Sequence, residues 1–406
     1  MRILHSSDWH LGQHFIGKSR LAEHQAFFRW LKQQIEQHQV DALIVAGDIF
    51  DTSTPPSYAR ELYHQLVVDL LPTGCQLILL GGNHDSVAVL QESQNLLAKL
   101  HTSVIPGWLS DPAQHLLTLT DRSGGPAALL LALPFLRSRD LVQSQRGDSS
   151  SAKQQLLQQA IADCYQQLYQ LALQRRTELG RDLPVLATGH LTTVGASCTE
   201  SVRDIYIGTL DAFPASAFPP VDYLALGHIH QPQQVAGNPC WRYSGSPLPL
   251  SFDESRQQKS VVLLDLAASP LQPELLPVPC FQPMLSLKCQ LDELAALLTP
   301  ALAELEPGQQ LWLELQLTGA DALLSELHQM VQQQLADKPV ELLKLRRART
   351  AQQSGLQSAE VLSLTELEPA MVLQQRLEQE ELTTEQQQQF QQMVAGLMQQ
   401  LQEVAE

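Results

Sequence analysis

Residues 77–85 read Leu-Ile-Leu-Leu-Gly-Gly-Asn-His-Asp, and no other stretch constrains the fold as much. A short apolar run ending in two glycines is a buried strand followed by a tight turn. The turn carries an amide, an imidazole and a carboxylate off the strand end, where open α/β sheets keep their chemistry. An Asn-His-Asp turn can also bond its own backbone, so its force comes from repetition. The same grammar recurs four times. Residues 2–6 lead into Asp8-Trp9-His10, 42–46 into Gly47-Asp48, 183–188 into Gly189-His190, and 223–226 into Gly227-His228-Ile229-His230.

Between these runs the apolar spacing turns helical. Leu21, Phe27, Phe28, Leu31 and Ile35 mark one amphipathic helix over 20–38, with His24 and His38 expected on its solvated side. Further helices are expected over 58–70, 87–100 and, in a Gln-rich stretch, 152–179. Strands alternating with helices predict a layered α/β domain.

At 406 residues the chain is too long for one average domain. A first domain is expected over 1–267, a proline-rich linker over 268–283, and a smaller α+β unit over 284–349 with strands at 311–317 and 340–345 around a helix at 320–335. A polar gap then precedes two acidic helices in 364–406. No apolar leader follows Met1 and no run reaches membrane-spanning length, so a cytoplasmic protein without a membrane is expected. The six cysteines form no Cys-x-x-Cys pair, which argues against a zinc cluster or disulfide framework and predicts reduced, mostly core thiols.

The formal net charge of −17 has the wrong sign for a simple nucleic-acid binder. Its distribution matters more. Residues 1–280 carry 19 basic and 25 acidic side chains, whereas 281–406 carry 7 and 18. The acidity therefore sits in the tail, and carboxylates of the first part are candidates for neutralisation by cations.

Collected, the strand-end residues are Asp8, His10, Asp48, Asn83, His84, His190, His228 and His230. This mixed oxygen and nitrogen set lacks thiolate and suits manganese, iron or zinc at two adjacent positions. Asp48 is the natural bridge, with one oxygen for each ion. Two ions can clamp a phosphate and activate water, which is the chemistry of phosphoester hydrolysis. Singly, an Asp-x-His is usually a loop pair and a Gly-His usually structural. Five together at strand ends are not.

In this order the motifs Asp-x-His, Gly-Asp, Gly-Asn-His-Asp, Gly-His and Gly-His-x-His resemble those of the calcineurin-like metallophosphoesterases. The segments 7–12, 46–51, 82–86, 188–192, 226–230, 203–208 and 245–252 resemble the DNA-nuclease branch of that family. The resemblance implies a β-sandwich flanked by helices, a small capping domain and a C-terminal helical pair. It implies that Asp8, His10, Asp48 and His230 hold one ion, and Asp48, Asn83, His190 and His228 the other, both manganese. His84 is implied to face the scissile phosphate as proton donor or transition-state stabiliser. Asp85 either orients that imidazole or bonds the backbone of its turn.

The resemblance further implies an ATP-dependent 3′ to 5′ exonuclease on duplex ends and an endonuclease on single strands and hairpins. The expected partner is a coiled-coil ATPase that the tail helices dock on. A nuclease homodimer within a heterotetramer is implied through helices near 58–70 and 87–100. Lys18, Arg20, Arg137 and Arg139 are candidate contacts to DNA phosphates, with solvated surface charge as the default for each. The alternative function is a phosphatase of small phosphoesters or phosphoproteins, which the ligand set alone does not exclude.

Overall fold

A continuous apolar run such as Ala42-Leu-Ile-Val-Ala tolerates water on neither face, and such runs form the interior strands of two stacked sheets. The computed structural model describes residues 1–142, 150–202, 212–319 and 324–348. Its first part alternates strand and helix. In order come β1 (Arg2–Ser6), the hairpin β2 (His14–Phe15) and β3 (Lys18–Ser19), α1 (Leu21–Gln37), β4 (Ala42–Ala46), α2 (Ser57–Leu70), β5 (Gln76–Leu80), α3 (Val87–Glu92), α4 (Gln94–Leu97) and β6 (Thr102–Ile105). A second series follows with β7 (Leu116–Thr120), β8 (Pro126–Leu131), α5 (Ser138–Leu141), α6 (Ser150–Leu179), β9 (Val185–His190), β10 (Tyr223–Gly227), β11 (Gln233–Val235), β12 (Asn238–Tyr243), β13 (Ser260–Asp265) and β14 (Glu274–Pro277). The last series is β15 (Met284–Cys289), α7 (Leu294–Ala303), β16 (Leu311–Leu317), α8 (Leu324–Leu335) and β17 (Val340–Arg347).

Sheet 1 runs β14-β13-β1-β4-β5-β6 and sheet 2 runs β11-β12-β10-β9-β8-β7. Strands β1, β4, β5 and β6 are parallel, as are β8, β9, β10 and β12. Each set therefore opens its carboxyl ends on a single rim, and the polar motifs all lie there. Period-two alternation divides the side chains of each strand between two cores. From sheet 1, Ile3, Ile44 and Ile78 pack with Leu186, Tyr223 and Ala225 of sheet 2. Leu4, Leu43 and Val45 turn the other way, onto Phe27 and Leu31 of α1 and Leu66 of α2. On the far side, α6 covers sheet 2 with Leu157, Ile161, Tyr165 and Leu168. The order is helix, sheet, sheet, helix, and each fully buried large side chain contributes about 1.5–3 kcal/mol. Deep in the seam a polar contact joins the sheets, with His5 Nδ1 and the Tyr223 hydroxyl 2.9 Å apart.

Several local expectations change. The helix expected over 87–100 breaks at Ser93, whose backbone leaves helical geometry between α3 and α4. Its neighbourhood, Gln-Glu-Ser-Gln, supplies little apolar surface to hold a continuous helix, and serine competes for the backbone. Residues 274–277 of the proline-rich stretch pair with β13 as β14, an edge position where proline is tolerated. His24 is buried and donates from Nε2 to the Trp9 carbonyl at 2.8 Å, because the first polar loop folds over α1. Of the six thiols only Cys75, Cys164 and Cys289 are buried.

The third sheet, β15-β16-β17, is wholly parallel, with its strands joined by α7 and α8 and its core built from Leu294, Leu313, Leu315 and Val331. Strand β15 and helix α7 went unread in the sequence, where Met-Leu-Ser-Leu-Lys-Cys gives only weak alternation. The sheet lies in the same compact unit as the other two, which spans Met1–Ala348. Trp312 of β16 stacks on Phe15 of β2 with centroids 5.6 Å apart, and Phe252 closes on the same ring at 5.1 Å. The 203–208 motif, the start of the helix expected at 320, the polar gap and the tail helices at 364–406 lie outside the described residues.

Candidate metal centre

Each polar motif begins where a parallel strand ends, and close packing there demands glycine. A Cβ on Gly82 would lie 2.1 Å from Asp48 Oδ1, and one on Gly227 would lie 1.9 Å from the Ala46 carbonyl. The loops also adopt backbone that side chains rarely take. Asp8, His10, Asp48 and His228 have φ of 54°, 48°, 49° and 93°. Such left-handed residues cost about 1–2 kcal/mol each and gather where a site over-determines them.

Three clusters of potential ligands result. Asp8, His10 and His230 converge in one, Asp48, His190 and His228 in another, and His10, Asp48 and His84 lie between them. Asp48 joins the two outer clusters through a single atom. Its Oδ2 lies 3.6 Å from His10 Nε2 and 3.3 Å from His190 Nε2, while its Oδ1 accepts from the His84 amide at 2.9 Å. The turn backbone thus engages the second carboxylate oxygen of Asp48. Asn83 Oδ1 reaches His190 Nε2 at 2.8 Å and so joins the second cluster.

The imidazoles are held by their far nitrogens, as ligating histidines usually are. His190 Nδ1 donates to the Ala46 carbonyl at 2.9 Å, and His10 Nδ1 donates to Asp51 Oδ1 at 3.1 Å. This leaves His10 Nε2 buried without a hydrogen-bond partner, aimed at Asp48. Burial pulls the His190 imidazole down, but the charge and hydrogen bond of Asp48 outweigh it and hold the pKa up at about 9. Asp48 is itself kept well below the usual carboxylate range, since His190 and then His10 override its burial. An orphaned imidazole nitrogen, buried carboxylates and pre-set tautomers fit divalent cations.

His84 stands at the edge. Its Nδ1 donates to the Asp51 carbonyl at 2.6 Å, and its ring meets His10 edge-on at 4.7 Å. Asp85 does not orient it. The Asp85 carboxylate accepts from the amides of Gly82, Ile49 and Phe50 at 2.8, 3.1 and 2.9 Å, so it clamps the Asp48 loop to the turn. Burial, and then Asp48, push its pKa up to about 6.

The candidate DNA contacts divide. Arg20 is 0% exposed, bound to Glu23, Gln13 and the Pro249 carbonyl, and is corrected to a structural residue. Lys18 pairs with Glu341 of β17. Arg137 and Arg139 instead line a cleft of about 520 Å³ with Ser53, Asn83 and His84. Arg137 donates from Nη2 to the Asp85 carbonyl at 2.8 Å, and its Nη1 has no partner.

Comparison with known proteins identifies the family. Residues 1–232 match the calcineurin-like phosphoesterase model, and 280–381 match the model described as the type 5 capsule protein repressor C-terminal domain. The SbcD component of nuclease SbcCD from Escherichia coli K12 is 49% identical over 96% of both chains. The chain belongs to the SbcD family of calcineurin-like phosphoesterases. Other SbcD-family relatives are those of Rhodobacter capsulatus, 38% identical over 71% of this chain and 72% of its own, and of Bacillus subtilis, 31% identical over 65% and 66%. A solved beta-glucosidase from Exiguobacterium marinum aligns over 82% of this chain and 80% of its own at 9% identity and a TM-score of 0.22, too low to bear on the fold.

Sequence reasoning missed three side chains that touch these ligands, namely Asp51, Ser201 and Glu254. Asp51 was legible as the second acid of Gly47-Asp48-Ile49-Phe50-Asp51. Glu254 gave no local signal, since it lies 24 residues beyond His230 in a short turn. Burial opposes its charge, but His230 and Lys259 hold it ionised well below the ordinary range. Among the described residues no helix is long and apolar enough to cross a membrane.

Proposed function

We propose that this chain is a two-metal DNA phosphodiesterase that works as the nuclease subunit of a complex with a coiled-coil ATPase. The observation that carries the reading is Asp48 Oδ2, which faces His10 of one cluster and His190 of the other beside an imidazole, His84, that has no place in either outer cluster. Asp8, His10, Asp48 and His230 would hold one ion, and Asp48, Asn83, His190 and His228 the second, with manganese as the metal. When bound, such a pair supplies positive charge to a phosphodiester and acidifies water for in-line attack.

The chain's own residues do the rest. The Asp51 carbonyl fixes His84 Nδ1 as a donor, so in the imidazolium form the second proton sits on Nε2 and would pass to the leaving oxygen, the ring ending neutral. Asp85 keeps the Asp48 loop and the 81–85 turn in one register. Arg137 lines the cleft beside Asn83 and His84, where its guanidinium would meet a phosphate oxygen of the strand being cut. The substrates proposed are duplex ends, degraded 3′ to 5′ with ATP, and single strands and hairpins cut internally. The unit at 284–349 would cap the site, the tail at 364–406 would dock on the ATPase, and α2 with α3 and α4 would pair two copies.

Incubating the purified chain and manganese with a hairpin oligonucleotide, and separately with p-nitrophenyl phosphate, tests the activity. Rapid cutting of the hairpin with negligible monoester turnover is expected. The reverse order would assign the site to small phosphoesters.

A further inference from the structure

Beneath the first cluster lies a buried ion pair that no catalytic step above uses. Glu254 and Lys259 are 0% and 4% exposed, with Nζ and Oε2 2.6 Å apart. Stability does not account for such a pair, because replacing one by apolar groups is often neutral or stabilising. What distinguishes it is convergence on one residue. Glu254 Oε1 accepts from the Ser201 hydroxyl, which in turn lies 2.6 Å from His230 Nδ1, and the carboxylate itself is 3.4 Å from that nitrogen. Lys259 Nζ donates to the His230 carbonyl at 3.0 Å and to Ser246 Oγ at 3.1 Å. Both the side chain and the backbone of His230 are thus gripped by the two ends of one ion pair.

We propose that Glu254 is a positioning residue for His230, holding Nδ1 protonated through Ser201 and the backbone through Lys259, so that Nε2 is presented to the first cation. This rests on the reading that His230 holds an ion. The hydroxyls of Thr199 and Ser251 also donate to Glu254 Oε1, at 2.8 and 3.3 Å, and hold the carboxylate in place beside Ser201. The remaining ligands of that cluster, Asp8 and His10, are fixed by other groups, so the effect is confined to one of the two metal positions.

The test is manganese binding by the full chain, followed by calorimetry and electron paramagnetic resonance, with the thermal midpoint as a fold control. His230→Ala is the benchmark and should lose one of two equivalents. Ser201→Ala leaves the ion pair whole and should weaken one equivalent about tenfold, the lower end for partners of metal ligands. Ser201→Thr restores the hydroxyl and should bind like the parent. Glu254→Gln with Lys259→Met removes both charges together and should match or exceed the Ser201→Ala loss. If His230→Ala loses an equivalent while both relay variants keep parental affinity for two, the positioning role is overturned, even if they melt earlier. If His230→Ala keeps both equivalents, the ligand reading falls and this proposal with it.

Discussion

Sheet 1 carries both carboxylates, the amide, the His10 imidazole and His84 at the edge of the centre, whereas sheet 2 contributes imidazoles alone, His190, His228 and His230. The negative charge therefore comes entirely from one sheet and the uncharged donors mostly from the other. Three of the four left-handed ligands, Asp8, His10 and Asp48, also belong to sheet 1. Negative charge and most of the strain reside on one rim, while the other supplies imidazoles and the single strained His228. The difference teaches that the centre exists only as a product of sheet packing, since neither rim holds two cations by itself.

Asp48→Asn strikes the charged rim at its shared atom. Hydrolysis should fall by about a thousandfold or more, because an amide neither neutralises nor bridges two cations. Parental turnover with two manganese ions bound would remove Asp48 from the junction. His84→Ala tests a sheet 1 residue outside the two outer clusters and should lower turnover by about 10²–10⁴ while both ions stay bound. A drop of one equivalent in elemental analysis would make it a ligand instead.

Arg137→Ala should raise KM for a single-stranded oligonucleotide with little change in kcat, and flatten the slope of log affinity against log salt by about 0.7. An unchanged salt slope would return Arg137 to a purely structural role. The seam between the sheets gives a smaller effect. Burial, then Arg242, pull His5 down to about 3, so the folded chain keeps it neutral while the unfolded chain protonates it near 6.5. Stability from this group is complete above pH 6.5 and is lost as pH falls toward 3, by about 1.4 kcal/mol per pH unit in that window. His5→Gln should therefore show a flatter acid limb in urea melts run in chelator, and identical limbs would exclude a neutral His5 as the seam.

The strand-end residues were legible because each follows an apolar run and mostly a glycine, so chemistry and turn occupy neighbouring letters. Packing partners across the chain were not. Arg20 looked like a surface cation because its acceptors, Glu23 and the Pro249 carbonyl, declare nothing in sequence. Ser201 and Glu254 are types that usually face water, and only the closure of distant loops on His230 brings them to it and buries Glu254. Asp85 shows a finer limit, since its place in the motif was plain but its three amide donors come partly from a loop 35 residues away. The edge strand β14 was hidden by prolines, which are tolerated because one side of that strand pairs with no strand among the described residues.

The left-handed backbone at positions 8, 10, 48 and 228 sets stability and activity against each other at the level of selection. Glycine at any of these sites would relax the chain while deleting a donor. A population of variants enriched for heat resistance alone, with no demand for catalysis, should lose these four residues early, and the positions where it drifts first would draw the outline of the metal centre.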